Sequence, residues 1–147
     1  MNETLQAVRL FWQLDHLLIR WARRYGDPPF TVSTFLALDL LDRDLSLSMK
    51  EIAQALEITP ASTTALAGRL EARGWAQRQP DPDDQRMTRL HLCDAGRDAL
   101  QSYYDLMARF FDDALTMPQV QKLSSLMALL AGSHDDLQGP VQEAVHV

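Results

Sequence analysis

The stretch SMKEIAQALEITPASTTALAGRLEARG, residues 48–74, starts two helices in quick succession. Ser48 with Glu51 three residues later makes a capping box, in which each residue satisfies a backbone amide of the other's turn. MKEIAQAL then gives a helix of only about two turns. Thr59 followed by Pro60 is a second start, an N-cap hydroxyl and a proline whose missing N–H costs nothing in the first turn. The helix it opens runs through PASTTALAGRLEA and closes at Gly74. Two short helices joined by the tight connection EIT are a helix-turn-helix pattern.

The flanks complete the pattern. After Gly74 the periodicity changes from helical to alternating. Trp75, Gln77 and Gln79 alternate with Ala76 and Arg78; Thr88, Leu90 and Leu92 then share one face, with Met87, Arg89 and His91 on the other. Between these strand-like runs lies a proline-broken turn carrying Asp81, Asp83 and Asp84. A helix pair followed by a hairpin reads as a winged helix, with the hairpin as its wing. Upstream, Thr31 opens a helix that fades in DRD before Leu45, and LSLS is a short extended connection. Residues 3–25 form a long helix with Leu5, Val8, Trp12, Leu18 and Trp21 at three- and four-residue steps, stopped by Gly26 and the prolines after it. Downstream, a helix from Asp94 to about Leu115 and another from Pro118 carry apolar faces; the tail after Gly139-Pro140 has little pattern. The expected fold is mostly α, an α+β winged helix-turn-helix of six helices with a two- to three-stranded wing.

Composition bounds the partners. The chain has 147 residues, 46% hydrophobic and 23% charged, as expected of a soluble globular protein of one ordinary domain. No apolar run approaches the roughly 18 residues that span a bilayer, and the N-terminus lacks a signal-peptide pattern. With one cysteine, Cys93, no internal disulfide forms, so a cytoplasmic location without a membrane partner is expected. The net charge of −6 argues at first against nucleic acid. Yet from Lys50 to His91 six basic residues balance six acidic ones, so the middle of the chain is neutral and its charges can be sorted by face.

Residues 45–100 resemble the core of the MarR-type transcriptional regulators. The resemblance is carried by the capped helix, the Thr59-Pro60 start, Leu70-Glu71-Ala72-Arg73-Gly74-Trp75, the wing from Arg78 to Arg86, and Leu92-Cys93-Asp94-Ala95-Gly96-Arg97. Four positions depart from the family's usual pattern: Gln85 precedes Arg86 where a second arginine is common, Ala65 replaces an arginine, Gly68 an aspartate and Cys93 a threonine. Gly68 costs its helix about 1 kcal/mol relative to alanine.

The resemblance implies a sequence-specific DNA-binding transcriptional regulator, a homodimeric repressor of a pseudo-palindromic double-stranded operator, relieved by a small aromatic or anionic ligand. In such a protein the helix from Pro60 enters the major groove, where the first-turn residues Ala61, Ser62, Thr63 and Thr64 meet base edges. Arg69, Arg73, Lys50 and Arg78 suit phosphates. The wing, with Arg78, Asp84, Arg86 and Arg89, meets the minor groove, which favours an inserted arginine; Arg86 is placed there, its guanidinium preordered by a paired hydrogen bond to Asp84. Asp81 and Asp83 read as turn formers, and without a glycine-pivoted loop or distal glutamate these carboxylates do not read as a metal site. The histidines His16, His91, His134 and His146 are too scattered for one. Leu66, Leu70 and Trp75 read as core.

The apolar terminal parts, residues 1–30 and 94–147, are expected to interlock into the dimer around a DNA-binding region at 31–93. Trp12, His16, Arg20 and Trp21 on the first helix are candidates for a ligand cleft; the bland alternative makes both tryptophans dimer core and His16 a solvated side chain. Cys93 near a helix start could make a thiol-responsive regulator, though its place at a capping position favours structure. A winged helix used only for protein contacts is the other class of reading. No nucleophile–base spacing, Gly-rich phosphate loop or buried carboxylate pair suggests an enzyme, and no cofactor is expected.

Overall fold

A computed structural model describes residues 2–24 and 31–133. Among them the helices are α1 (Glu3–Ala22), α2 (Val32–Asp44), α3 (Met49–Leu56), α4 (Pro60–Ala72), α5 (Asp94–Ala114) and α6 (Met117–Gly132). The strands are β1 (Ser46–Ser48), β2 (Ala76–Pro80) and β3 (Thr88–Leu92). The order is the expected one. The expected stop at Tyr25, Gly26 and the prolines, the tail after Gly139, His134 and His146 lie outside the described residues.

Local chemistry sets the helix starts. Ser48 Oγ accepts the Glu51 amide at 3.1 Å and Glu51 Oε2 accepts the Ser48 amide at 2.7 Å. Thr59 Oγ1 accepts the Ser62 amide at 3.1 Å, with Pro60 in the first turn. Gly74, at φ +71°, takes the left-handed conformation that ends α4. Two other turns do without glycine: Leu45 after α2 has φ 63° and Glu57 after α3 has φ 53°. Each costs about 1 kcal/mol for its Cβ. At Glu57 the turn is held by the Ile58 amide donating to Ala53 O at 3.1 Å, which sets α3 against α4.

The sheet is antiparallel in the order β1-β3-β2. Leu90 of β3 pairs with Leu47 on one side and Arg78 on the other. The LSLS connection is thus a third strand, and the wing rests on both neighbours. Leu90 points into a core with Leu38 and Leu41 of α2, Ile52 of α3, Leu66 and Leu70 of α4 and Leu100 of α5. Each such side chain contributes about 1.5–3 kcal/mol by leaving water. Trp75 is partly buried against it. α5 begins against this unit: the Cys93 amide donates to Trp75 O at 2.9 Å. Gly96 is required at this contact, since a Cβ there would lie 2.1 Å from the same carbonyl oxygen.

The terminal helices differ. No residue of α6 is buried, and Leu126, Met127, Leu129 and Leu130 face outward. On α1, Leu5, Val8, Phe11 and Trp12 are more than half exposed, while Trp21 packs edge-on against Phe110 of α5 with centroids 5.3 Å apart. Among the described residues no helix is long and apolar enough to cross a membrane.

Candidate nucleic-acid interface

The packing of α4 decides which of its residues can be reached. Thr63, Leu66, Ala67 and Leu70 form its buried stripe, at the i, i+3, i+4, i+7 spacing of one helix face. Ala61, Ser62, Thr64, Ala65, Gly68 and Arg69 are exposed. This corrects one expectation. Thr63 is not a base reader: it is 1% exposed and its hydroxyl donates to Thr59 O at 3.0 Å. Thr64 keeps its place at the surface, its hydroxyl on Pro60 O at 3.0 Å. Ser62 Oγ accepts from the Thr59 hydroxyl at 2.9 Å. Lys50 reaches the same side, lining with Met49, Ile58, Pro60 and Thr64 a groove of about 430 Å³ between α3 and α4.

The cations sort into two groups. Arg69 makes no ion pair among the described residues, and the side chain of Arg86 is 94% exposed at the wing tip. Arg73 stacks on the Trp75 ring, 4.6 Å from its centroid. Arg78 and Arg89, by contrast, are partnered within the protomer and only partly exposed. The Arg78 Nη2 donates to Thr64 O at 3.1 Å, and its Nε lies against a Glu71 carboxylate oxygen as an ion pair without hydrogen-bond alignment. Arg89 ties the base of the wing together. Its Nε donates to Ser46 Oγ at 2.8 Å and its Nη2 to Ser46 O at 3.0 Å, while Nη1 reaches Asp81 Oδ2 at 3.3 Å.

The aspartates of the wing fold its tip. Asp81 Oδ1 accepts the Asp83 amide at 2.8 Å and Asp84 Oδ1 accepts the Arg86 amide at 3.0 Å, each bonding two residues on, as in Asx turns. The Asp83 amide, helped by Arg89, holds the Asp81 carboxyl below its ordinary value. The expected paired bond from Asp84 to the Arg86 guanidinium is not formed: Nε stands 3.4 Å from Asp84 Oδ1, the oxygen already bonded to the backbone. Asp84 orders the backbone that carries Arg86 rather than gripping its fork.

Residues 29–87 match the MarR family model. The HTH-type transcriptional regulator YkoM of Bacillus subtilis (strain 168) is 27% identical over 136 residues, covering 91% of this chain and 86% of YkoM. The HTH-type transcriptional repressor MdtR of the same organism is 28% identical over 132 residues, covering 87% of this chain and 81% of MdtR. The crystal structure of the YusO protein from Bacillus subtilis matches with TM-score 0.66 and 26% identity, over 88% of this chain and 92% of that one. In sequence over most of its length, and in fold, the chain is similar to these regulators, and its winged-helix segment matches the MarR family.

The fold is a winged helix, and these relatives are transcriptional regulators rather than enzymes. The four cleft candidates on α1 do not converge within a protomer. Trp12, His16 and Arg20 follow at four-residue steps and are exposed, whereas Trp21 lies half a turn round the helix from Trp12, against Phe110. Cys93 occupies the N-cap of α5, partly exposed, and its side chain makes no capping bond. Sequence reasoning missed Ser46, Glu71 and the pair Tyr104–Asp39, in which the phenol donates to Asp39 Oδ1 at 2.8 Å across α5 and α2. Burial first, then this bond, pushes the Tyr104 phenol up to about 12. Opposite charges at 71 and 78 were visible in the sequence, but only the angle of β2 to α4 makes them partners.

Proposed function

We propose that this chain is a MarR-type transcriptional regulator, a homodimeric, sequence-specific repressor of a pseudo-palindromic double-stranded DNA site. The observation that carries the reading is the pairing of two surfaces. α4 presents a low, polar first turn, and beside it stands a wing whose tip arginine is almost wholly exposed. Small residues at 61, 62, 64, 65 and 68 let the helix approach base edges closely, where Thr64 and Ser62 offer hydroxyls and Ala61 a methyl. Lys50, Arg69 and Arg73 serve phosphates, and Arg86 enters the minor groove. Residues 31–93 do the reading; residues 1–30 and 94–147 join two copies, an assignment supported by the exposed apolar faces of α1 and α6. MdtR, a relative by sequence, is a transcriptional repressor. A small aromatic or anionic effector is assigned to the exposed face of Trp12, His16 and Arg20, where an aromatic surface and a cation share one side of α1.

The test is a gel shift on the DNA upstream of the protein's own coding region and on random duplex of equal length, over a range of salt. Tight binding to the first and weak, steeply salt-dependent binding to the second is expected. Equal affinity for both would leave no sequence-specific function. A winged helix serving only protein contacts would bind neither.

A further inference from the structure

Arg78 stands on β2, yet its side chain belongs to α4. Thr64, Gly68 and Glu71 follow one another along one face of that helix, at steps of four and three residues. The Arg78 guanidinium lies along this face, with Nη2 on Thr64 O at 3.1 Å and Nε against Glu71. Gly68 lies between the two. A Cβ there would come within 4.0 Å of Nη2, so alanine fits and a longer side chain would take the guanidinium's place. Helix geometry already pairs the Thr64 carbonyl with the amide four residues on; its second lone pair accepts Arg78. The glycine leaves that carbonyl open from the side.

We infer that Arg78 is a positioning residue: it fixes the angle between α4 and the wing, so that Thr64 and Arg86 meet one stretch of DNA together. The inference rests on the DNA-binding reading above. A planar guanidinium held by one hydrogen bond to Thr64 O and an ion pair to Glu71 resists rotation in a way that a lysine's point charge cannot. The strand that carries it runs directly into the wing, pairing with β3 from Ala76 to Pro80.

The probe is a duplex that the full-length wild-type protein enriches from a random-sequence pool. Affinities are measured at several salt concentrations for wild type, Arg78→Ala, Glu71→Gln, Arg86→Ala and Arg78→Ala/Arg86→Ala. Arg78→Ala and Glu71→Gln should each weaken binding about tenfold, alike across base changes in the site. The slope of log affinity on log salt should stay at the wild-type value. In the Arg78→Ala background, Arg86→Ala should cost at most about twofold, because the wing is no longer held in register. Glu71→Gln keeps the shape of the side chain and guards against misfolding of the alanine variant. Its sign is the discriminating part: charge counting alone says that removing an acid beside DNA tightens binding. Tighter binding by Glu71→Gln, a salt slope flatter by about one in Arg78→Ala, a loss confined to one base pair, or additive effects with Arg86 would each overturn the positioning role. A wild-type protein that enriches no duplex overturns the DNA-binding reading itself, before any variant is made.

Discussion

Arg86 and Thr63 show how far single residues can be read before their surroundings are known. Arg86 is where the wing pattern put it, at the tip and 94% exposed, because a two-residue carboxylate turn is a local device. Arg86→Ala should therefore lose several-fold to hundredfold affinity for DNA, the value of about 1–3 kcal/mol for one charge-assisted contact. Its melting temperature should not change. Asp84→Ala removes the acceptor of the Arg86 amide and should also weaken binding, though less; tighter binding at two salt concentrations would show that the aspartate is only tolerated beside DNA. Thr63 stands in the first turn of α4, where a side chain could meet bases, but helical periodicity turns it inward. It stands three, four and seven residues before Leu66, Ala67 and Leu70, so the buried stripe was already in the sequence. Thr63→Ala should lower stability by about 1 kcal/mol, for one buried methyl and a hydroxyl bond, and affect all DNA sequences alike. Thr64→Ala should instead change base preference at particular positions with stability nearly intact. Denaturant melts and a panel of single-base operator variants separate the two.

At the scale of elements, what was legible was what is local. Capping box, Thr-Pro start and closing glycine each act within one turn, and α3 and α4 begin and end where they say. β1 was less legible, since three residues become a strand only when β3 supplies partners more than forty positions away. Arg78, Arg89 and Ser46 were opaque for the same reason: their bonds depend on angles between elements. The turn between α3 and α4 is one place where a local rule is broken. Glu57 holds a left-handed conformation that glycine adopts freely, so Glu57→Gly should raise stability by about 0.5–1 kcal/mol in a denaturant melt, its gain reduced by the freer unfolded chain. A drop in stability would mean that the glutamate side chain itself holds the turn. The α2–α5 seam gives a pH signature. Burial and Asp39 raise the Tyr104 phenol to about 12, so the folded protein resists an ionisation that the unfolded chain undergoes near 10. The stabilisation this carries is complete below pH 10 and is lost as the pH rises from there towards 12. Tyr104→Phe should remove that loss; an unchanged alkaline melting profile would place it elsewhere.

For the whole molecule the decisive feature is the distribution of apolar surface. The winged helix has a closed core, while most of the exposed large hydrophobic side chains among the described residues lie on α1 and α6. Leu129 and Leu130 are each about two-thirds exposed, and Trp12 is 64% exposed. Burying such side chains contributes about 1.5–3 kcal/mol apiece, enough that a handful offsets the entropy of joining two copies. A second copy is also what the DNA reading needs, since one helix in one major groove spans only a half-site. Melting temperature should then rise with protein concentration, because association stabilises the folded state by mass action. Leu130→Glu should abolish that dependence and yield a monomer in sedimentation. The same variant should bind a single half-site about as well as wild type does, yet lose most of its preference for two half-sites in one duplex, since the gain from linking them is gone. If Leu130→Glu and Leu129→Glu both sedimented as wild-type dimers, α6 would not be the joining surface, and the face of α1 around Val8 and Trp12 would be the next to test. A wild-type monomer at micromolar concentration that still distinguishes a two-half-site duplex from a single half-site would remove the dimer and leave the winged helix reading DNA alone.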